Sequence, residues 1–142
     1  EREVVNLVVS QVNGCHYCQS AHTALGKMNG FNDEQILELR SGQASFDTKI
    51  DALAKFTKAV TLNRGKVAEE VKEQLFAAGY DEKHMIDIVI VIGDKTVSNL
   101  LNNLIDTPID FPAVPVLEKV SGLEFNKDSK GRRMDKKNSD VS

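Results

Sequence analysis

The sequence predicts an all-α fold, a compact bundle of about six helices. Three observations carry this. Apolar residues recur at helical spacing nearly throughout the chain. The segments are punctuated by helix-terminating turns such as Asn13-Gly14, Asn29-Gly30 and Asn63-Arg64-Gly65. No strand–helix alternation and no internal repeat interrupts this pattern.

The elements follow in order. Val5, Val8, Val9 and Val12 mark a first helix that Asn13-Gly14 breaks. Ala21, Leu25 and Met28 continue a stripe along a second helix, which Asn29-Gly30 ends. Asn32 with Gln35 reads as a capping box, and Phe31 with Ile36 as the hydrophobic staple around it; Gly42 stops this short third helix. Asp47 can cap a fourth, with Ile50, Leu53, Ala54 and Phe56 facing inward. A fifth carries Val67, Val71, Leu75 and Phe76 and ends at Gly79, and Asp81 caps the sixth. The run "IDIVIVI" is β-branched and by propensity alone reads as a strand. Ile86, Val89/Ile90, Val97, Leu100/Leu101 and Leu104 nonetheless keep the helical rule over about twenty residues, which predicts a buried helix whose apolar stripe is core or subunit interface. Pro108, Pro112 and Pro115 end regular structure.

With 142 residues the chain is long enough for one cored domain, read as 1–125. Its net charge of −3 is uneven: residues 126–142 carry +3 and the remainder −6. A mildly acidic body without tryptophan argues against nucleic acid as the partner. The basic segment 126–142 has almost no apolar residues and reads as a flexible tail. The chain opens on "EREVVNLVV", without methionine, as a piece that starts inside a helix; no targeting signal is visible. The apolar run "MIDIVIVIG" is too short to span a membrane, so none is expected. Two cysteines, spaced C-x-x-C, do not make a secreted disulfide framework; a pair that cycles in a reducing cytoplasm is the expectation.

The chemistry concentrates in "GCHYCQSAH", residues 14–22. If a helix starts near Cys15, then Cys15, Cys18 and His22 share one stripe at i, i+3 and i+7. Free backbone N–H groups and the helix dipole favour a thiolate in the first turn. An imidazole one turn further on can take the proton. Glu3 lies about as far before the Asn13-Gly14 turn as His22 lies after it. An antiparallel helix pair therefore brings them to the same height within about 3 Å, where the carboxylate can orient the imidazole. Glu1 is the weaker rival for that place. The dipole favours Cys15 as the lower-pKa thiol and the spacing to His22 favours Cys18; the base at i+4, which also handles the proton, decides for Cys18.

Glu3, "CHYC" and His22 together resemble the E-x11-C-x2-C-x3-H pattern of the AhpD-like alkylhydroperoxidases, in the carboxymuconolactone decarboxylase superfamily. "NNLIDTPIDFP", residues 102–112, is similar to the segment that follows the long helix there, and the resemblance spans about residues 1–118. It implies an all-helical, oligomer-forming fold (dimer, trimer or hexamer). It also implies a thiol peroxidase or disulfide reductase without haem, flavin or metal. By that resemblance Cys18 is the peroxidatic thiol, Cys15 resolves its sulfenic acid to a disulfide, and His22 and Glu3 form the proton relay. The implied partners are a small hydroperoxide and a dithiol, lipoyl or thioredoxin-type reductant. One departure is Tyr17, where some members carry a histidine that can shuttle protons. Tyr17 itself reads as packing.

Other readings of the same residues stand beside this one. The pair can serve as a redox sensor in a ligand-binding oligomer. Cys15, Cys18, His22 and Glu3 can together hold a zinc ion, although no distant second cysteine pair exists. A lactone decarboxylase of the superfamily lacks the cysteine pair, whose presence here argues against that branch.

Overall fold

The first helix, α1 (Arg2–Val12), is valine-rich, and nearly all of its residues are buried, Asn6, Ser10 and Gln11 among them. It is the axis of a computed structural model that describes residues 1–117. Beyond these, only the backbone of two short antiparallel pairs is described, Lys119–Val120 with Leu123–Glu124 and Asn126–Lys127 with Arg133–Met134. Within residues 1–117 every regular element is a helix: α2 (His16–Met28), α3 (Asp33–Ser41), α4 (Thr48–Asn63), α5 (Glu69–Ala77) and α6 (Glu82–Ile105) follow α1. The boundary at residue 125 and the flexible tail 126–142 fall, apart from those pairs, outside the described residues.

Around α1 pack α2, α3, α4 and α6, while α5 rests on α4. Val4, Leu7, Val8 and Val9 meet Ile36 and Leu39 of α3, Leu53 and Phe56 of α4, Leu75 of α5 and Ile88 and Ile92 of α6 in one core. Each such side chain removed from water contributes about 1.5–3 kcal/mol. This lets valine-rich α1 stay helical despite its modest propensity.

Local signals set the ends. Asn32 and Gln35 form the expected capping box, and Asp47 caps α4 through the Ile50 N–H at 3.0 Å. Asp81 and His84 form a second capping box at the start of α6. Gly42 ends α3 at φ +87°. Lys58 crowds the space a Cβ would need there and donates from Nζ to the Ser41 carbonyl at 2.9 Å.

Two expectations are corrected. Val67 lies before α5 rather than on it, and Phe76 is partly exposed, because α5 turns Leu75 to the core, with Val71 partly buried beside it. More consequentially, α6 is one continuous helix but not a buried one. Its inward row is Ile88, Ile92 and Asn99. Ile86, Val89, Ile90, Val97, Leu100, Leu101 and Leu104 all lie outside the core, Ile90 at 63% and Leu104 at 81% exposed. Helix α6 packs mainly on α1, with smaller contacts to α2 and α4, so a single chain covers only a narrow stripe of it. Its 24 residues are also long and apolar enough by composition to cross a membrane, which residues 85–93 alone are not.

Candidate active site

The turn between α1 and α2 builds the site. Gly14 takes φ +62°, and the Cys15 N–H returns to the Ser10 carbonyl at 3.0 Å, folding the chain back on α1. Cys15 then stands at the N-cap of α2 in extended conformation, and its Sγ accepts from the Cys18 N–H at 3.3 Å. A sulfur replaces the usual hydroxyl or carboxylate oxygen of a cap and takes up one of the free N–H groups of the first turn. Cys15 and Cys18 are joined as a disulfide with Cα atoms 5.2 Å apart, and both are buried.

His22 lies one turn beyond Cys18 on the same helix and is also buried. Its Nδ1–H donates to Glu3 Oε2 at 2.7 Å. Since Glu3 can only accept when ionised, this bond keeps a proton on Nδ1, so that in the neutral imidazole Nε2 is the basic nitrogen. Burial pushes the Glu3 carboxyl up. The bond and charge of His22, the Asn6 Nδ2 donor at 3.3 Å and the charge of Lys95 outweigh it and hold the group below the ordinary carboxylate range. Glu1, the rival, is engaged elsewhere: it accepts from the Tyr80 hydroxyl at 2.8 Å.

All four residues singled out from the sequence, Glu3, Cys15, Cys18 and His22, thus converge where α1 meets α2. Tyr17 packs edge-on against Phe111, with ring centroids 5.6 Å apart, which ties the segment after α6 to the cysteine helix. Among the described residues no three His, Cys, Asp or Glu side chains group as a metal site. In the disulfide state the two sulfurs of the zinc reading are bonded to each other.

One neighbour escaped the sequence reading. Asn102, on α6, directs Nδ2 to Cys18 Sγ at 3.7 Å. It lies 84 positions from Cys18, and no local pattern pairs them; its only signal is its place at the head of the "NNLIDTPIDFP" segment. A buried network stands behind the turn. The Arg40 Nε donates to Gln11 Oε1 at 3.0 Å and Nη2 to Gln19 Oε1 at 3.3 Å. Gln19 Nε2 in turn donates to the Ser10 carbonyl at 3.3 Å, the same carbonyl that holds Cys15. Burial pushes the Arg40 guanidinium down to about 10.

The geometry meets its relatives at this point. Residues 1–61, which contain the whole Glu3–His22 constellation, match the model of the carboxymuconolactone decarboxylase family. The resemblance read from the sequence holds. A Bacillus subtilis protein described as uncharacterized, YdfG, is 26% identical over 93 residues. The aligned region is 64% of this chain and 63% of that protein, so the chain spans less than two thirds of its relative's length. Among solved structures, a protein of unknown function from Agrobacterium tumefaciens, with a suggested role as the antioxidant defence protein AhpD, superposes with a TM-score of 0.68. It is 19% identical, over 80% of this chain and 77% of that one. The debrominase Bmp8 superposes at 0.65 both alone, at 21% identity, and as a cysteine-to-alanine variant in complex with 2,3,4-tribromopyrrole, at 20% identity. Each covers 77% of this chain and 59% of the debrominase. At these identities the structures share the AhpD-like fold.

Proposed function

We propose that this chain is a thiol-dependent oxidoreductase that reduces alkyl hydroperoxides or hydrogen peroxide through Cys18 and Cys15. The observation that carries the reading is the Cys15–Cys18 disulfide at the start of α2, one turn before an imidazole whose other nitrogen is held by Glu3. A thiol pair that only packed would need neither the base nor its orienting carboxylate.

The cycle runs as follows. In the reduced protein His22 Nε2 takes the Cys18 thiol proton. The thiolate attacks the peroxide, the O–O bond breaks, and one oxygen stays on Cys18 as a sulfenic acid. The other leaves as alkoxide and takes the proton from His22, giving the alcohol, or water from hydrogen peroxide. The Cys15 thiol then attacks Cys18 Sγ and expels water, forming the disulfide. A dithiol, lipoyl or thioredoxin-type reductant gives up two electrons and two protons to restore both thiols. A reducing compartment such as the cytoplasm suits that cycle.

The exposed apolar side chains along α6 support assembly into a homo-oligomer, since such a row is usually covered by a partner. The alternatives are a sensor that oxidises once and a lactone decarboxylase that does not need the pair. Mass spectrometry of the reduced protein after one equivalent of cumene hydroperoxide tests the assignment. Wild type should lose two hydrogens, Cys15→Ser should gain one oxygen, and Cys18→Ser should not react. Oxygen addition to Cys18→Ser in place of Cys15→Ser would reverse the two roles.

A further inference from the structure

The two sulfurs are served by different donors. Cys15 Sγ receives the backbone N–H of Cys18, the helix terminus itself. Cys18, already inside the first turn, has no such group aimed at its sulfur; Asn102 of α6 supplies a donor instead, at 3.7 Å. The orientation of that amide is fixed. One Nδ2 proton is committed to the Ser98 carbonyl at 2.9 Å, and a carbonyl can only accept, so the nitrogen must lie on that side. The Thr107 hydroxyl donates to Asn102 Oδ1 at 2.7 Å, and the Thr107 N–H reaches the Asn102 carbonyl at 3.2 Å. The second Nδ2 proton is thereby left for Cys18.

We propose that Asn102 is a catalytic residue of this site, stabilising the Cys18 thiolate by hydrogen bonding to Sγ, with Thr107 as the residue that positions its amide. The inference rests on the reading of Cys18 as the reacting thiol. A neutral donor aimed at sulfur favours the anion over the thiol. It acts twice in the cycle, when Cys18 attacks peroxide and when the disulfide is reduced. In the second case a reductant thiolate bonds to Cys15 Sγ, the S–S bond breaks, and its electron pair stays on Cys18 Sγ as a thiolate, to which the Asn102 amide donates. A second reductant thiolate then displaces Cys15.

The test is the pH dependence of Cys18 alkylation by iodoacetamide in a Cys15→Ser background, followed by intact mass. Asn102→Leu keeps the branching at Cγ and removes the donors, and Asn102→Asp sets an acceptor against the sulfur. The midpoint should rise by about one pH unit in Asn102→Leu, with roughly tenfold slower alkylation below it. It should rise further in Asn102→Asp. Thr107→Val, which releases the amide without removing it, should give a smaller rise and serves should the Asn102 variants not fold. A merely structural role would alter rates or melting and leave the midpoint in place; coincident midpoints in all folded variants overturn the proposal. Peroxide turnover of the wild type is read separately. Midpoints that move without turnover uphold Asn102 and remove the peroxidase reading; turnover with fixed midpoints does the reverse.

Discussion

Glu3 Oε2 sits 2.7 Å from His22 Nδ1, joining the first turn of α1 to the second turn of α2. The two residues are 19 apart in sequence, and the bond exists because Gly14 and Cys15 fold α2 back along α1. It anchors the imidazole, selects the tautomer of its neutral form and ties α1 to the helix that carries the cysteines.

Glu3→Gln keeps the shape and can still accept from Nδ1 but loses the charge. Alkylation and oxidation of Cys18 should slow by about ten- to a hundredfold, against about 10²–10⁴ for His22→Ala. The same variant has a pH signature. The folded Glu3 carboxyl lies below its ordinary value of 4.5, so folding favours its ionised form. The resulting stability is complete above pH 4.5 and is lost as pH falls through the lower folded value. The melting-temperature gap between wild type and Glu3→Gln should thus be constant at neutral pH and close on acidification below that point. A gap that widens in acid contradicts the assignment.

Gly26 lies inside α2, where a Cβ would meet Leu7 Cδ1 and Ile36 Cδ1 at 3.5 Å, an ordinary contact. Gly26→Ala should therefore stabilise the fold, by about 0.5–1 kcal/mol from helix propensity and a less flexible unfolded chain. Urea unfolding with an unchanged m-value checks this; destabilisation would mean that the α1–α2–α3 contact is tighter than it measures.

Arg40 is buried without a carboxylate partner, and among the described residues its Nη1 has no hydrogen-bond partner. Its charge depends on the side-chain oxygens of Gln11 and Gln19. Gln11→Leu should cost about 2–3 kcal/mol by leaving a buried cation less satisfied. Arg40→Leu should cost less, since it also removes a desolvated charge. A denaturation cycle should show the double variant more stable than the sum of the two, with a coupling of about 1–2 kcal/mol. Strict additivity would remove the network as a support for the turn.

Leu101 and Leu104 project from the exposed side of α6, and Ile90 does so a few turns earlier. If this face is covered by another copy, Leu101→Glu should lower the mass seen by light scattering at micromolar concentration and leave the far-ultraviolet circular dichroism intact. A wild-type chain that is monomeric across that range contradicts the oligomer.

The caps and turns were legible because they are local: Asn32, Asp47 and Asp81 each need only a residue three positions on. The Glu3–His22 pair was legible because a short turn makes the register of two helices countable in residues. The long helix was read correctly as a helix, yet its buried row was not. Apolar residues surround α6, so periodicity could not say which stripe the neighbours cover. Asn102 was invisible for a related reason: its approach to Cys18 depends on how α6 crosses α1 and α2, a tertiary fact without a sequence period.

The central claim is that Cys18 and Cys15 form a cycling redox pair, and steady-state consumption of cumene hydroperoxide with dithiothreitol as reductant tests it most directly. Wild type should turn over many equivalents and Cys18→Ser should be inactive, while Cys15→Ser, whose sulfenic acid dithiothreitol must reduce directly, should turn over more slowly than wild type. A wild type that forms its disulfide once and never cycles, or a Cys18→Ser variant that retains the wild-type rate, would contradict the account.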